Sequence, residues 1–169
     1  MKRWVLAVMV GVGLVLQLSL LPALRPLGVV PGLMLVLVAL LGLEGTATQA
    51  LWTAVAGGLA MDFGSSADFG LWTGLLVVTA LVTGLLHRAG VELESVMWSL
   101  VLVAGGTMLV SVVILVGIAD SIERWQWGVV IWRLVAQLIL NLVLTLALRP
   151  LVRWAEHDPG GFPSDLGRR

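Results

Sequence analysis

Six long apolar runs constrain this chain more than any other feature. They are Trp4–Leu21, Leu27–Leu43, Thr46–Met61, Phe69–Leu86, Val96–Ile118 and Trp127–Leu148. A helix needs about 20 apolar residues, within a range of roughly 17–25, to cross the hydrocarbon core of a bilayer. Backbone in lipid must satisfy its own hydrogen bonds, so each run is expected to be helical. Composition points the same way. Hydrophobic residues make up 59% of the chain, charged residues 12%, and mean hydropathy is +1.05. A water-soluble domain carries about a quarter charged residues. The expected fold is therefore an all-α integral membrane protein with six transmembrane helices over residues 1–153. The polar tail 154–169, with its Pro and Gly, is expected to be disordered.

The second and third runs are short and joined only by Glu44-Gly45. They read as two full spans, with Gly45 as a helix stop. Pro31 sits near the start of the second run, where a missing N–H matters least. The first run follows Lys2 and Arg3 and superficially resembles a signal peptide. It lacks an A-x-A site and more spans follow, so it reads as an uncleaved membrane helix.

Several functions are argued against by what the chain carries. Formal net charge is zero, so no basic field invites nucleic acid. Cysteine is absent, and His87 and His157 lie far apart, neither with carboxylate or imidazole company at ligand spacing, so no metal or other cofactor is expected. Ser19, Ser65, Ser66, Ser99 and Ser111 have no histidine within helical reach, as an activated nucleophile requires. "GVG" at 11–13 lacks the Lys and Ser/Thr of a phosphate loop. The chain is expected not to be an enzyme.

Orientation follows from the basic residues. With a cytoplasmic amino terminus, Lys2, Arg3, Arg88, Arg149, Arg153, Arg168 and Arg169 fall on one side, and only Arg25 and Arg124 on the other. Both termini are thus expected in the cytoplasm. Trp4, Trp98 and Trp154 mark one interface, and Trp72, Trp125 and Trp127 the other.

Polar and small residues inside the runs form two patterns. Thr46, Ala50, Ala54 and Gly58 recur every four positions, giving the third helix a small face for close packing. That helix is expected at the centre of the bundle. Arg133, Gln137, Asn141 and Thr145 share the same spacing on the sixth, drifting by about 40° per step. An arginine in mid-bilayer costs roughly 2.5–3.5 kcal/mol and needs a partner. Asp62, ending the third run on the same side of the membrane, is the expected partner. The stripe, which Gln17 of the first run is free to join, serves either interhelical hydrogen bonding or a polar cavity.

The stretch "GGLAMDFGSSADFGLWTGLLVVTALVTG" places Asp62 four residues after Gly58 and Gly70 eight further on. With "VLQLSLLPAL" (15–24) and Pro31 in "VVPGLMLVLV", it resembles the MreD family of rod shape-determining proteins. Gly32 stands where that family often has Asp or Asn. The resemblance implies a tight corner at Gly58, Asp62 and Gly70. It implies a bundle similar to the substrate-binding subunits of energy-coupling-factor transporters. It also implies a non-enzymatic scaffold in the inner membrane of a bacterial cell. Implied partners are MreC, the polymerase RodA with its class B penicillin-binding transpeptidase, and the actin-like MreB. Gly70 and Gly74 form a G-x-x-x-G pair suited either to a partner helix or to internal packing, and Gly105 and Gly106 interrupt the fifth run. The runner-up expectation is a vitamin-binding subunit of an energy-coupling-factor transporter. Short extracytoplasmic loops, the lack of tyrosine and the few polar groups within the runs favour the scaffold.

Overall fold

A computed structural model describes residues 3–24, 28–44, 46–64, 69–89, 96–118 and 127–156. Among these residues the regular structure is entirely helical. Helix α1 covers Arg3–Val15, continues through a π-helical stretch Leu16–Leu20, and finishes as Leu21–Leu24. It is followed by α2 (Leu33–Glu44), α3 (Ala47–Gly64), α4 (Leu71–Arg88), α5 (Val96–Ile118) and α6 (Trp127–Glu156). Three of these, α4, α5 and α6, contain stretches long and apolar enough to cross a membrane.

The boundaries depart from the apolar runs at two places. Helix α2 begins at Leu33 rather than Leu27. Pro31 explains this: it disfavours helical backbone in the residue before it. Gly28, at φ 76°, adds a left-handed turn. At its other end α6 runs past Leu148 to Glu156, with Pro150 inside it. Arg149 and Arg153 therefore project from a helix. Gly45 and the tail beyond Glu156 lie outside the described residues.

Helix α2 is the centre of the molecule. Every residue from Leu33 to Leu43 is buried. All five other helices pack around it. This corrects the expectation that the third helix is central. The physical reason lies in the two compositions. Between Leu33 and Leu43 no polar side chain occurs, so no side of α2 must be turned outward. Helix α3 has a small buried face of Ala50, Ala54 and Gly58, but Trp52 and Phe63 project outward with 70% and 78% exposure. Twelve residues of α2 rise only about 18 Å, short of a hydrocarbon core of about 30 Å.

Small residues set the close approaches. Gly58 lies directly over the Thr73 backbone, and a Cβ there would collide with the Thr73 Cα. At the other end of the same hairpin, a Cβ on Gly84 would stand 3.0 Å from that of Ala47. These two contacts make α3 and α4 an antiparallel pair. Gly42 of α2 meets the Thr83 side chain of α4 in the same way. Outside, large apolar side chains such as Val15, Trp52, Leu85 and Val116 are exposed. Water-soluble monomers rarely present so much contiguous apolar surface. Among the tryptophans, Trp98, Trp127 and Trp154 face outward and Trp72 is half-buried. Trp125 and the Trp4 side chain lie outside the described residues.

Candidate functional site

Two groups of interior polar side chains lie at the two ends of α2. Its first N–H groups have no partner within the helix. Gly32 N–H donates to Asn141 Oδ1 at 2.7 Å, and Leu33 N–H donates to Gln17 Oε1 at 2.8 Å. Neither acceptor is local in sequence. Asn141 sits on α6, fully buried, and its Nδ2 donates to Thr107 Oγ1 of α5 at 2.9 Å. Thr107 in turn donates to the Val103 carbonyl at 2.7 Å. Gln17 belongs to the π-helical stretch of α1 and is buried, while Leu18 and Leu20 after it are exposed. Such single π turns inside α-helices are rare and recur at functional sites. Two helices thus cap a third, and Thr107 of α5 holds one of the capping side chains. Pro31 is buried just before the cap, and its carbonyl accepts the Leu33 N–H at 3.1 Å.

The opposite end of α2 carries Glu44. Arg149 Nε donates to its Oε1 at 2.7 Å, and Arg153 Nε to its Oε2 at 2.7 Å. Both arginines come from α6, one turn apart. A carboxylate at a helix C-terminus opposes the helix dipole, and two guanidiniums offset that. Since Asn141 lies at one end of α2 and Arg149 at the other, α2 and α6 run parallel. The sequence reading missed this cluster. The signal was there: an acid between the second and third runs, facing arginines at four-residue spacing on the same side of the bundle.

A third polar site forms the α3–α4 corner. Asp62 is buried at the end of α3. Its Oδ1 accepts the Trp72 N–H at 2.9 Å. Its Oδ2 accepts the Thr73 N–H at 3.2 Å and the Thr73 hydroxyl at 2.6 Å. The carboxylate therefore caps the first turn of α4 from outside the turn itself. Gly70 stands at the N-cap with φ 95°, a left-handed conformation that glycine adopts without steric penalty. Gly58, one turn before Asp62, allows the close approach. Phe63 and Phe69 close the corner edge to face at 5.2 Å.

The expected pairing of Asp62 with Arg133 is thereby corrected. Helix α3 packs on α4 and α2, whereas α6 packs on α5 and α2. Arg133 is exposed near the start of α6, and no acid lies against it among the described residues. Asp62 needs no cation because three hydrogen bonds already satisfy it. The stripe on α6 splits likewise: Asn141 and Thr145 are buried, Gln137 is half-buried and Arg133 is outside. Gly70 and Gly74 are exposed, and nothing stands within 4 Å of a Cβ built on either. Gly105 is equally open, while Gly106 faces Leu35 of α2. No cluster of metal-ligating side chains occurs among the described residues.

No protein-family model, curated protein or solved structure matches this chain. Its class is therefore defined by its own features. Among the described residues it is all-helical, with three helices long and apolar enough to cross a membrane, organised around a short buried helix fixed at both ends by polar side chains.

Proposed function

We propose that this chain is a non-enzymatic membrane scaffold of the MreD kind, a subunit of the bacterial elongation complex. In this reading it is a six-helix protein of the inner membrane with both termini cytoplasmic. Its partners are MreC, RodA with its class B transpeptidase, and, directly or through them, MreB. One observation carries the reading. Gln17, Asn141 and Asp62, the polar side chains that a ligand pocket would use, are engaged with the backbone of neighbouring helices. They hold helices in place. Meanwhile the G-x-x-x-G face of α4 stays open, a small surface on which another helix can pack closely.

The test is co-purification from bacterial membranes with tagged MreC. Stable recovery of both chains in detergent supports the scaffold. Persistent failure, in a host that makes both proteins, refutes it. A thermal-shift panel of vitamins addresses the transporter reading, since stoichiometric stabilisation by one vitamin would favour it over the scaffold.

A further inference from the structure

A groove of about 160 Å³ lies between α3 and α4, at the end of the hairpin where α3 begins and α4 finishes. Its floor is made of small residues. Ala80 and Gly84 are buried, and Gly84 brings α4 close to Ala47. Leu51 and Leu81, both exposed, form its walls. Thr48 and Arg88 also line it, and both are exposed. These two polar side chains stand at the same end. Gly84 is level with Ala47, and Arg88 follows Gly84 by about one turn. The groove is therefore apolar towards Ala80 and polar at its mouth.

The mouth falls at a membrane boundary. Arg88 is the last residue of α4, whose 18 residues are long and apolar enough to cross a membrane. They rise about 27 Å, close to the hydrocarbon thickness of about 30 Å. From Ala80 to Arg88 the lining covers about 12 Å, within one leaflet of about 15 Å. A groove of 160 Å³ over that length is a slot for a chain, too narrow for an α-helix about 10–12 Å across. Arg149 and Arg153 are both taken up by Glu44. Arg88 itself lines the groove, and no carboxylate lies against it among the described residues. An apolar slot shorter than one leaflet, with a guanidinium and a hydroxyl at its mouth, is complementary to an amphiphile with an anionic head.

We propose that this groove binds one anionic phospholipid, with its phosphate on Arg88 and Thr48 and an acyl chain between Leu51 and Leu81. Guanidinium donors match phosphate oxygens and the group stays charged. The threonine hydroxyl adds one further donor. The inference rests on the membrane setting of the chain and not on the partners proposed above.

Native mass spectrometry of the full chain in mild detergent tests it. The probes are phosphatidylglycerol and phosphatidylcholine with identical acyl chains. The wild type should retain phosphatidylglycerol about fivefold more strongly, the effect of roughly one basic residue at a lipid surface. Arg88→Gln should bring that ratio close to one. Arg88→Lys keeps the charge and should largely preserve it. Arg153→Gln, at the other exposed arginine, should leave the ratio unchanged. Leu81→Trp, which covers the groove from an exposed wall, should lower retention of both lipids. Leu85→Trp covers it from a second exposed lining position and keeps the test sound should Leu81→Trp fail to fold, with melting temperature as the check. Equal retention of the two lipids by the wild type would overturn the proposal. So would a ratio that responds to Arg153→Gln and not to Arg88→Gln. Undiminished lipid retention in the folded tryptophan variants would overturn it too, including the case where they release a co-purifying partner helix instead.

Discussion

Glu44 and Arg149, 105 residues apart in the chain, meet at 2.7 Å at the C-terminal end of the buried helix α2. The pair joins the centre of the bundle to its last helix. Both side chains are largely removed from solvent, at 11% and 5% exposure. Arg153 reaches the same carboxylate from one turn further along, but from a far more exposed position. The two arginines should therefore contribute unequally. Breaking a buried pair strands a charge, whereas an exposed guanidinium is readily replaced by water or lipid headgroup.

Arg149→Met should destabilise the folded protein by about 3–5 kcal/mol, because Glu44 loses its buried partner. Arg153→Met should cost about 1 kcal/mol or less. Denaturant unfolding in detergent, followed by tryptophan fluorescence, measures both. Equal losses would mean that burial does not govern this cluster.

Replacing Asn141 by Leu should leave the Gly32 N–H and the Thr107 hydroxyl without their present partner. The expected loss is about 1–3 kcal/mol. Gln17→Leu should act in the same way on Leu33. Amide hydrogen exchange separates them: Asn141→Leu should accelerate exchange at Gly32 first, and Gln17→Leu at Leu33. Uniform acceleration along α2 in both variants would contradict side-specific capping.

Asp62→Ala should cost about 0.5–2 kcal/mol, the range for losing a helix cap. In double-mutant cycles, Asp62 should couple to Thr73 and not to Arg133. Thr73→Ala removes only the hydroxyl bond, so its single effect should be smaller than that of Asp62→Ala. A coupling between Asp62 and Arg133 larger than that with Thr73 would refute this geometry.

The glycines should divide by what stands over them. Gly58→Ala and Gly42→Ala press a methyl into Thr73 and Thr83, and each should destabilise by about 1–3 kcal/mol. Gly70→Ala forces a side chain into left-handed backbone and should cost about 1–2 kcal/mol. Gly74→Ala meets open space within a helix and should be neutral or stabilising by up to about 1 kcal/mol. Melting temperatures in detergent rank all four. On the scaffold reading, Gly74→Ala is also the variant that weakens association with a partner helix without weakening the fold.

Local pattern was enough to read the helices of this chain. Runs of apolar residues and the demand for internal hydrogen bonding dictate helix, and the small face of α3 announces a close contact. The corner at Gly58, Asp62 and Gly70 was an expectation of the family resemblance, and its partners lie within one hairpin. What local pattern could not supply was the choice of long-range partners. Asp62 looked as though it needed a cation, yet the first turn of α4 supplies N–H groups at shorter chain distance. Glu44 looked like a loop residue until α6 continued past Pro150 and carried Arg149 and Arg153 to it. Helix α2 looked like one span among six, and its uniform apolarity suits lipid and protein neighbours equally. In a membrane the hydrophobic effect does not sort helices into inside and outside, since lipid tails are as apolar as leucine. Only packing and the satisfaction of the exposed ends of α2 decide that this short helix is the centre, and those are properties of the assembled fold.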